Sequence, residues 1–206
     1  MLLDFPKRVR NRVRGILLAR GPESIKRSLW NMEFSGGKWN NLARTPGDCI
    51  YPPLQKYGQG GSILDLGCGS GNTGVELSAE TYQDYTGVDI SDVAVDIAKK
   101  RAEEDGRAEK NRYFACDISS YEPAQKFDVI LFRDSIYYVA GPKLMGILER
   151  YSKSLKQGGV FIVRMWSARG TYKAIVDFLE ANFEIVEKSV SGPSDTIVLV
   201  FRRLGA

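Results

Sequence analysis

The sequence contains no histidine, and its 206 residues include three cysteines, Cys49, Cys68 and Cys116. Without histidine there is no Ser-His-Asp or Cys-His catalysis, no imidazole general base and no His-ligated metal. Cysteines that are odd in number, widely spaced and without a Cys-x-x-Cys pair exclude a zinc ribbon and a disulfide scaffold. They suit a reducing, cytoplasmic compartment, and no metal site is expected. Long apolar runs are missing too. A stretch such as Val129 to Phe132 is a handful of residues, whereas a membrane span needs about 18 or more. Chemistry here must come from carboxylates, hydroxyls, the backbone or a borrowed reactive cofactor.

What is present is an ordinary globular composition, 43% hydrophobic and 26% charged, on a chain long enough for one to one and a half domains. The charge is uneven. Residues 1–60 hold 11 Lys and Arg against 4 Asp and Glu, while residues 61–206 hold 18 against 21. The character also changes near Gly58-Gln-Gly-Gly61. We therefore divide the chain into a helical cap or lid segment, 1–60, and a ligand-binding domain, 61–206.

Beyond residue 60, strand-like runs alternate with helical patterns. The strands are expected at Ser62–Leu66, Tyr85–Ile90, Arg112–Asp117, Phe127–Phe132, Val160–Met165, Phe183–Ser189 and Thr196–Arg202. Helical stripes fall at Val93, Ala94, Ile97 and Ala98, at Leu144, Ile147, Leu148, Tyr151 and Leu155, and at Tyr172, Ile175, Val176 and Leu179. Crossovers between the first five strands predict an α/β, doubly wound, seven-stranded, mostly parallel sheet. The link between the last two strands, with Gly192-Pro193, is too short for a parallel crossover. It predicts that these two form an antiparallel hairpin at one edge of the sheet, with the last strand antiparallel.

The densest chemical signal is Ile63-Leu-Asp-Leu-Gly-Cys-Gly-Ser-Gly-Asn-Thr-Gly74, a strand running into glycines 67, 69 and 71. Glycines belong where backbone turns tightly or a ligand lies against the main chain. A dinucleotide fingerprint would need its third glycine at 72, which is Asn72, and Asp65 would sit beside the pyrophosphate. A ligand with an amino group and a sulfonium, and no phosphate, tolerates that acid. Asp89 ends the next strand 20 residues beyond Gly69, the interval at which an acid reaches ribose hydroxyls; taken alone it reads as a helix cap. Asp117, after Cys116, ends the third strand, where its carboxylate suits an adenine amino group or a turn.

On these residues, 62–203 resemble a class I S-adenosylmethionine-dependent methyltransferase. Ile63–Gly71 resembles the first motif of that family, Gly87-Val-Asp-Ile-Ser91 its acidic strand end, and Ala115-Cys-Asp-Ile118 its adenine motif. Phe127–Leu131 is similar to the fourth strand, and Leu155-Lys-Gln-Gly-Gly-Val160 to the turn into the fifth. The resemblance implies S-adenosyl-L-methionine as cofactor. Asp65, Gly67, Cys68, Gly69, Gly71 and Asn72 would hold its methionine portion, Asp89 and Ile90 the ribose, and Cys116, Asp117 and Ile118 the adenine, with Arg133 completing the site. A NAD(P)-dependent oxidoreductase and a non-catalytic cofactor-binding partner subunit are the alternatives. The Gly-x-Gly-x-Gly spacing and the closing hairpin count against the first.

The acceptor is read from Phe132-Arg-Asp-Ser-Ile-Tyr-Tyr-Val139. It lacks the Asn/Asp-Pro-Pro-aromatic motif of nucleic-acid amino methylases, so a small-molecule acceptor is expected, no nucleic acid, and O- before N-methylation. With no histidine, Asp134 is the candidate base and Tyr137 and Tyr138 orienting partners. Trp30, Phe34 and Trp39 form an aromatic lid or pack as core, with the Gly36-Gly37 pair allowing a hinge. In the basic N-terminal helix Val9, Val13, Ile16 and Leu17 share an apolar face, with Lys7, Arg8, Arg10, Arg12 and Arg14 around it. That pattern suits a helix docked on the body, a peripheral contact with a membrane or anionic surface, or a transit peptide or nucleic-acid arm.

Overall fold

A computed structural model describes residues 7–42, 44–139, 141–166, 170–192 and 195–205, without the side chains of Lys7, Arg8, Arg10 and Ala19. The strands are β1 Gly61–Leu66, β2 Tyr82–Asp89, β3 Asn111–Ala115, β4 Phe127–Arg133, β5 Leu155–Met165, β6 Phe183–Ser191 and β7 Thr196–Arg203. They form one sheet in the order β3-β2-β1-β4-β5-β7-β6. β7 alone runs against its neighbours, inserted antiparallel between β5 and the edge strand β6, so the expected edge hairpin is there. Pro193 of its turn lies outside the described residues.

The central strands are buried on both faces, which is why they read as continuous apolar runs. The helices are α1 Lys7–Arg20, α2 Glu23–Ser35, α3 Tyr51–Tyr57, α4 Asn72–Glu76, α5 Asp92–Glu104, α6 Gly141–Ser152 and α7 Lys173–Asn182. One face of the sheet packs Leu64, Ile130 and Phe132 against Leu148 and Tyr151 of α6 and Val176 and Leu179 of α7. The other packs Ile63, Val129 and Leu131 against Leu54 of α3 and Val95 and Ala98 of α5. α3 therefore joins the sheet's own core although it precedes Gly60. No helix among the described residues is long and apolar enough to cross a membrane.

Two helical faces differ from the periodic reading. On α5 the buried positions are Ala94, Val95, Ala98 and Ala102, with Val93 and Ile97 half-buried. Among the described side chains of α1 the buried one is Leu18, and Val9 and Ile16 are 42% and 54% exposed. The inward side carries a charge. Arg14 turns inward to meet the buried Glu33 of α2, a carboxylate that burial obliges to be paired, while Val13 and Leu17 of the expected face stay half-buried.

Candidate active site

The carboxyl ends of β1, β2, β3 and β4 open into a cavity of about 610 Å3, where ligands lie in doubly wound sheets. The loop after β1 supplies its floor. Gly67 has φ +84° and approaches the β4 loop so closely that an added Cβ would stand 2.4 Å from the Ser135 Cβ. Gly69, at φ +52°, is covered by the Phe34 ring, which would stand at ordinary contact distance, 3.5 Å, from an added Cβ. Between that ring and the loop, the Gly69 backbone carries no side chain into the cavity.

Two carboxylates stand behind this loop. Asp89 accepts from the Gly69 N–H and the Ser91 N–H, one on each oxygen, both at 2.9 Å; Ser91, not Asp89, caps α5, its Oγ accepting from Ala94 N–H at 3.1 Å. Asp65 is fully buried and accepts on Oδ2 from the Tyr85 hydroxyl. Burial pushes both carboxyls up to about 6, because a low-dielectric wall disfavours the anion. Asp65 Oδ1, Asn72 Oδ1 and Arg164 Nε, all on cavity-lining residues, are buried with no hydrogen-bond partner among the described residues.

At the third strand end, Asp117 Oδ1 accepts from the Ser119 N–H at 2.7 Å and Oδ2 from Lys26 Nζ of α2 at 3.2 Å. Burial would raise this carboxyl, but the Ser119 N–H and Lys26 outweigh it and hold it below the usual range. The following carbonyls are fixed from α6. Arg150 and the Tyr151 hydroxyl both donate to Ile118 O at 2.7 Å.

The opposite end is built from charges and aromatic rings. Asp134, in the left-handed region at φ +55°, accepts from Arg164 and from the Trp166 N–H. Its carboxyl is raised by burial despite that cation. Arg164 and Arg133 share Asp48 Oδ2, at 3.2 and 2.9 Å. Arg133 also donates to Thr45 Oγ1 at 2.6 Å. Tyr137 stacks on Tyr172 at 4.4 Å, and Tyr138 meets Trp30 edge-on at 5.1 Å. Trp30, Phe34, Trp39 and Leu18 of the N-terminal segment close the wall. Glu33 holds them: it accepts from Arg14, from Lys38 Nζ at 2.7 Å and from Trp39 Nε1 at 3.2 Å.

A methyltransferase-domain family model matches residues 63–159, spanning β1 to the turn within β5. The body of this chain is a class I S-adenosylmethionine-dependent methyltransferase domain. A putative methyltransferase of Geobacillus sp. strain WCH70 is 30% identical over 146 residues, 69% of this chain and 57% of its own length. A ubiquinone biosynthesis O-methyltransferase of Idiomarina loihiensis is 32% identical over 100 residues, 48% and 40% of the two chains. This chain thus spans about half the length of these curated relatives. Among solved structures, the N-methyltransferase NodS from Bradyrhizobium japonicum WM9, in complex with S-adenosyl-L-homocysteine, aligns with a TM-score of 0.61 at 19% identity, over 75% of this chain and 85% of that one.

The methyltransferase domain brings nearly every residue singled out from sequence to one cavity; Gly71 and Cys116 lie off its wall. A Cβ on Gly71 would meet Ala98 of α5 at 2.8 Å, so this glycine serves the packing of α4. Cys116 turns its thiol toward Asp117 O and Ser120. Sequence reading missed Lys26, Asp48, Arg164 and Tyr172. Of these, Arg164 carried a usable signal, a cation inside the apolar run Val160–Met165. The residues present fit an S-adenosylmethionine. The Asp65 oxygen without a partner among the described residues suits an ammonium, the Gly69 backbone without a side chain allows close approach, and each Asp89 oxygen keeps a second lone pair for a hydroxyl.

Proposed function

We propose that this chain transfers the methyl group of S-adenosylmethionine to a small molecule, at oxygen in preference to nitrogen. The observation that supports this best is the single cavity with three strand-end carboxylates at one end and the Asp134–Arg164 pair with Tyr137 at the other. S-adenosylmethionine supplies an activated methyl on a sulfonium. In this reading Asp65 and the Gly67–Gly69 backbone receive the amino acid portion, Asp89 the ribose hydroxyls and Asp117 the base.

The cavity volume falls within the range of small-ligand sites, about 300–1,000 Å3, and its aromatic lid suits a compact acceptor rather than a polymer. Asp134, raised by burial, holds a proton better than an ordinary carboxylate, and Arg164 fixes its orientation. Burial keeps the phenols of Tyr137 and Tyr138 protonated, so they donate to an acceptor. Donors and guanidinium groups at this end, Arg164 on Asp134 and Arg14 beside Tyr138, suit an oxygen that sheds a proton and repel an ammonium. The three free cysteines suit the cytoplasm as its compartment.

The test is incubation with methyl-labelled cofactor and a panel of phenols, carboxylic acids and primary amines. Label on phenols or acids is expected. Label confined to amines reverses the preference for oxygen. Binding of S-adenosylhomocysteine with no transfer to any acceptor favours a non-catalytic subunit.

A further inference from the structure

α2 runs the length of the cavity. Lys26, Trp30 and Phe34 share its inner face at i, i+4 and i+8. Phe34 covers Gly69, Trp30 meets Tyr138, and Lys26 reaches Asp117. The helix is tied to the N-terminus of α5 beside this face, where Arg27 donates to Asp92 and Asn31 accepts from Ser91 Oγ, both at 2.7 Å. Lys26 is not a solvated surface cation. Its side chain is 22% exposed and that of Asp117 11%.

The two groups are complementary as a recognition pair. Asp117 can accept a second hydrogen bond on Oδ2, and the Lys26 ammonium has three N–H groups of which Asp117 engages one among the described residues. An exocyclic amino group next to a ring nitrogen, as on adenine, presents the matching donor and acceptor.

We propose that Lys26 is a cofactor-binding residue supplied by the lid, forming with Asp117 a mixed donor–acceptor pair for the nucleobase, so that base binding and docking of α2 are one coupled event. This rests on the methyltransferase reading. A base that engages Asp117 and Lys26 together bridges β3 to α2, and the same helix carries Trp30 over the acceptor end. Lys26 as a simple tether would differ: its loss would loosen the helix without altering the affinity of the body for cofactor.

The experiment is calorimetric titration of S-adenosylhomocysteine into the full chain and its Lys26→Met and Lys26→Arg variants. Melting of the ligand-free proteins and hydrogen exchange over residues 23–42 are measured alongside. The wild type should bind at one site and slow exchange over that segment. Lys26→Met should weaken binding at least tenfold, the scale of one hydrogen bond to a charged group, and lose the ligand-induced slowing. Lys26→Arg should restore most of both. Should Lys26→Met melt early without ligand, Lys26→Gln is read in its place with the same expectation. Affinity unchanged or tighter in a folded variant overturns the role of Lys26 and leaves the methyltransferase reading standing. A wild-type chain that binds no S-adenosylhomocysteine overturns both.

Discussion

Asp89 does two jobs. It faces the cavity and it anchors the Gly69 and Ser91 amides. Asp89→Ala should therefore weaken cofactor binding roughly 10- to 150-fold and also strand two buried N–H groups, at about 1–3 kcal/mol of stability each. Asp89→Asn, which keeps one acceptor oxygen, should lose affinity with a smaller drop in melting temperature; calorimetry and thermal melts on both variants separate the two roles. The carboxyls of Asp65 and Asp89 sit at about 6, above their value in an unfolded chain. The stability they contribute to the ligand-free protein is thus full at low pH and lost as pH rises through about 6. Cofactor binding runs the other way, since an ammonium and ribose hydroxyls prefer the anions. Affinity for S-adenosylhomocysteine should fall by about tenfold per carboxylate between pH 7 and pH 5. Titration at pH 6 in buffers of different ionisation heat should show proton release on binding.

At the scale of elements, the loop after β1 and the N-terminal helices are built on opposite principles. The loop depends on glycine. Gly67→Ala drives a Cβ against Ser135 and should unfold or strongly destabilise the domain. Gly69→Ala meets only ordinary contact with Phe34, costs about 1–2 kcal/mol for its left-handed conformation, and should lose cofactor affinity while the domain still melts cooperatively. The N-terminal helices depend on charge. Glu33 joins α1, α2 and the Trp39 loop through Arg14, Lys38 and the indole N–H. Glu33→Gln should release that junction, lowering turnover and speeding exchange across residues 7–42 while β1–β5 keep their protection. Unchanged turnover would mean that the junction fastens the segment without shaping the acceptor end.

For the whole molecule, the division that matters lies between Leu42 and Thr45. Thr45 holds Glu76 and Arg133, and Ile50, Tyr51 and Leu54 are packed into the sheet's second core. A chain lacking residues 1–42 keeps both cores and should fold, with circular dichroism showing the sheet intact. It loses Lys26, Trp30, Phe34 and Trp39 from the cavity wall. Positioning and water exclusion at the transfer step depend on that wall, so turnover should be abolished and cofactor affinity reduced. Full activity in that chain would make the N-terminal segment an appendage.

The amino-acid sequence by itself determined the sheet, its antiparallel closure and the strand-end carboxylates Asp65, Asp89 and Asp117. Each of those is a local pattern: an apolar run of strand length, a glycine turn, an acid where the run stops. The tertiary structure decided which charges meet. Arg133 finds Asp48 85 residues away, Lys26 finds Asp117 91 residues away, and Arg14 finds Glu33 across a helix corner. None of these pairings leaves a periodic trace, and on α1, beside the last of them, Val9 and Ile16 face water. Buried charges must find partners through space, so the facing of α1 was settled by its packing on α2, and the closing of the cavity by the sheet order β3-β2-β1-β4-β5 that sets the strand ends beside one another.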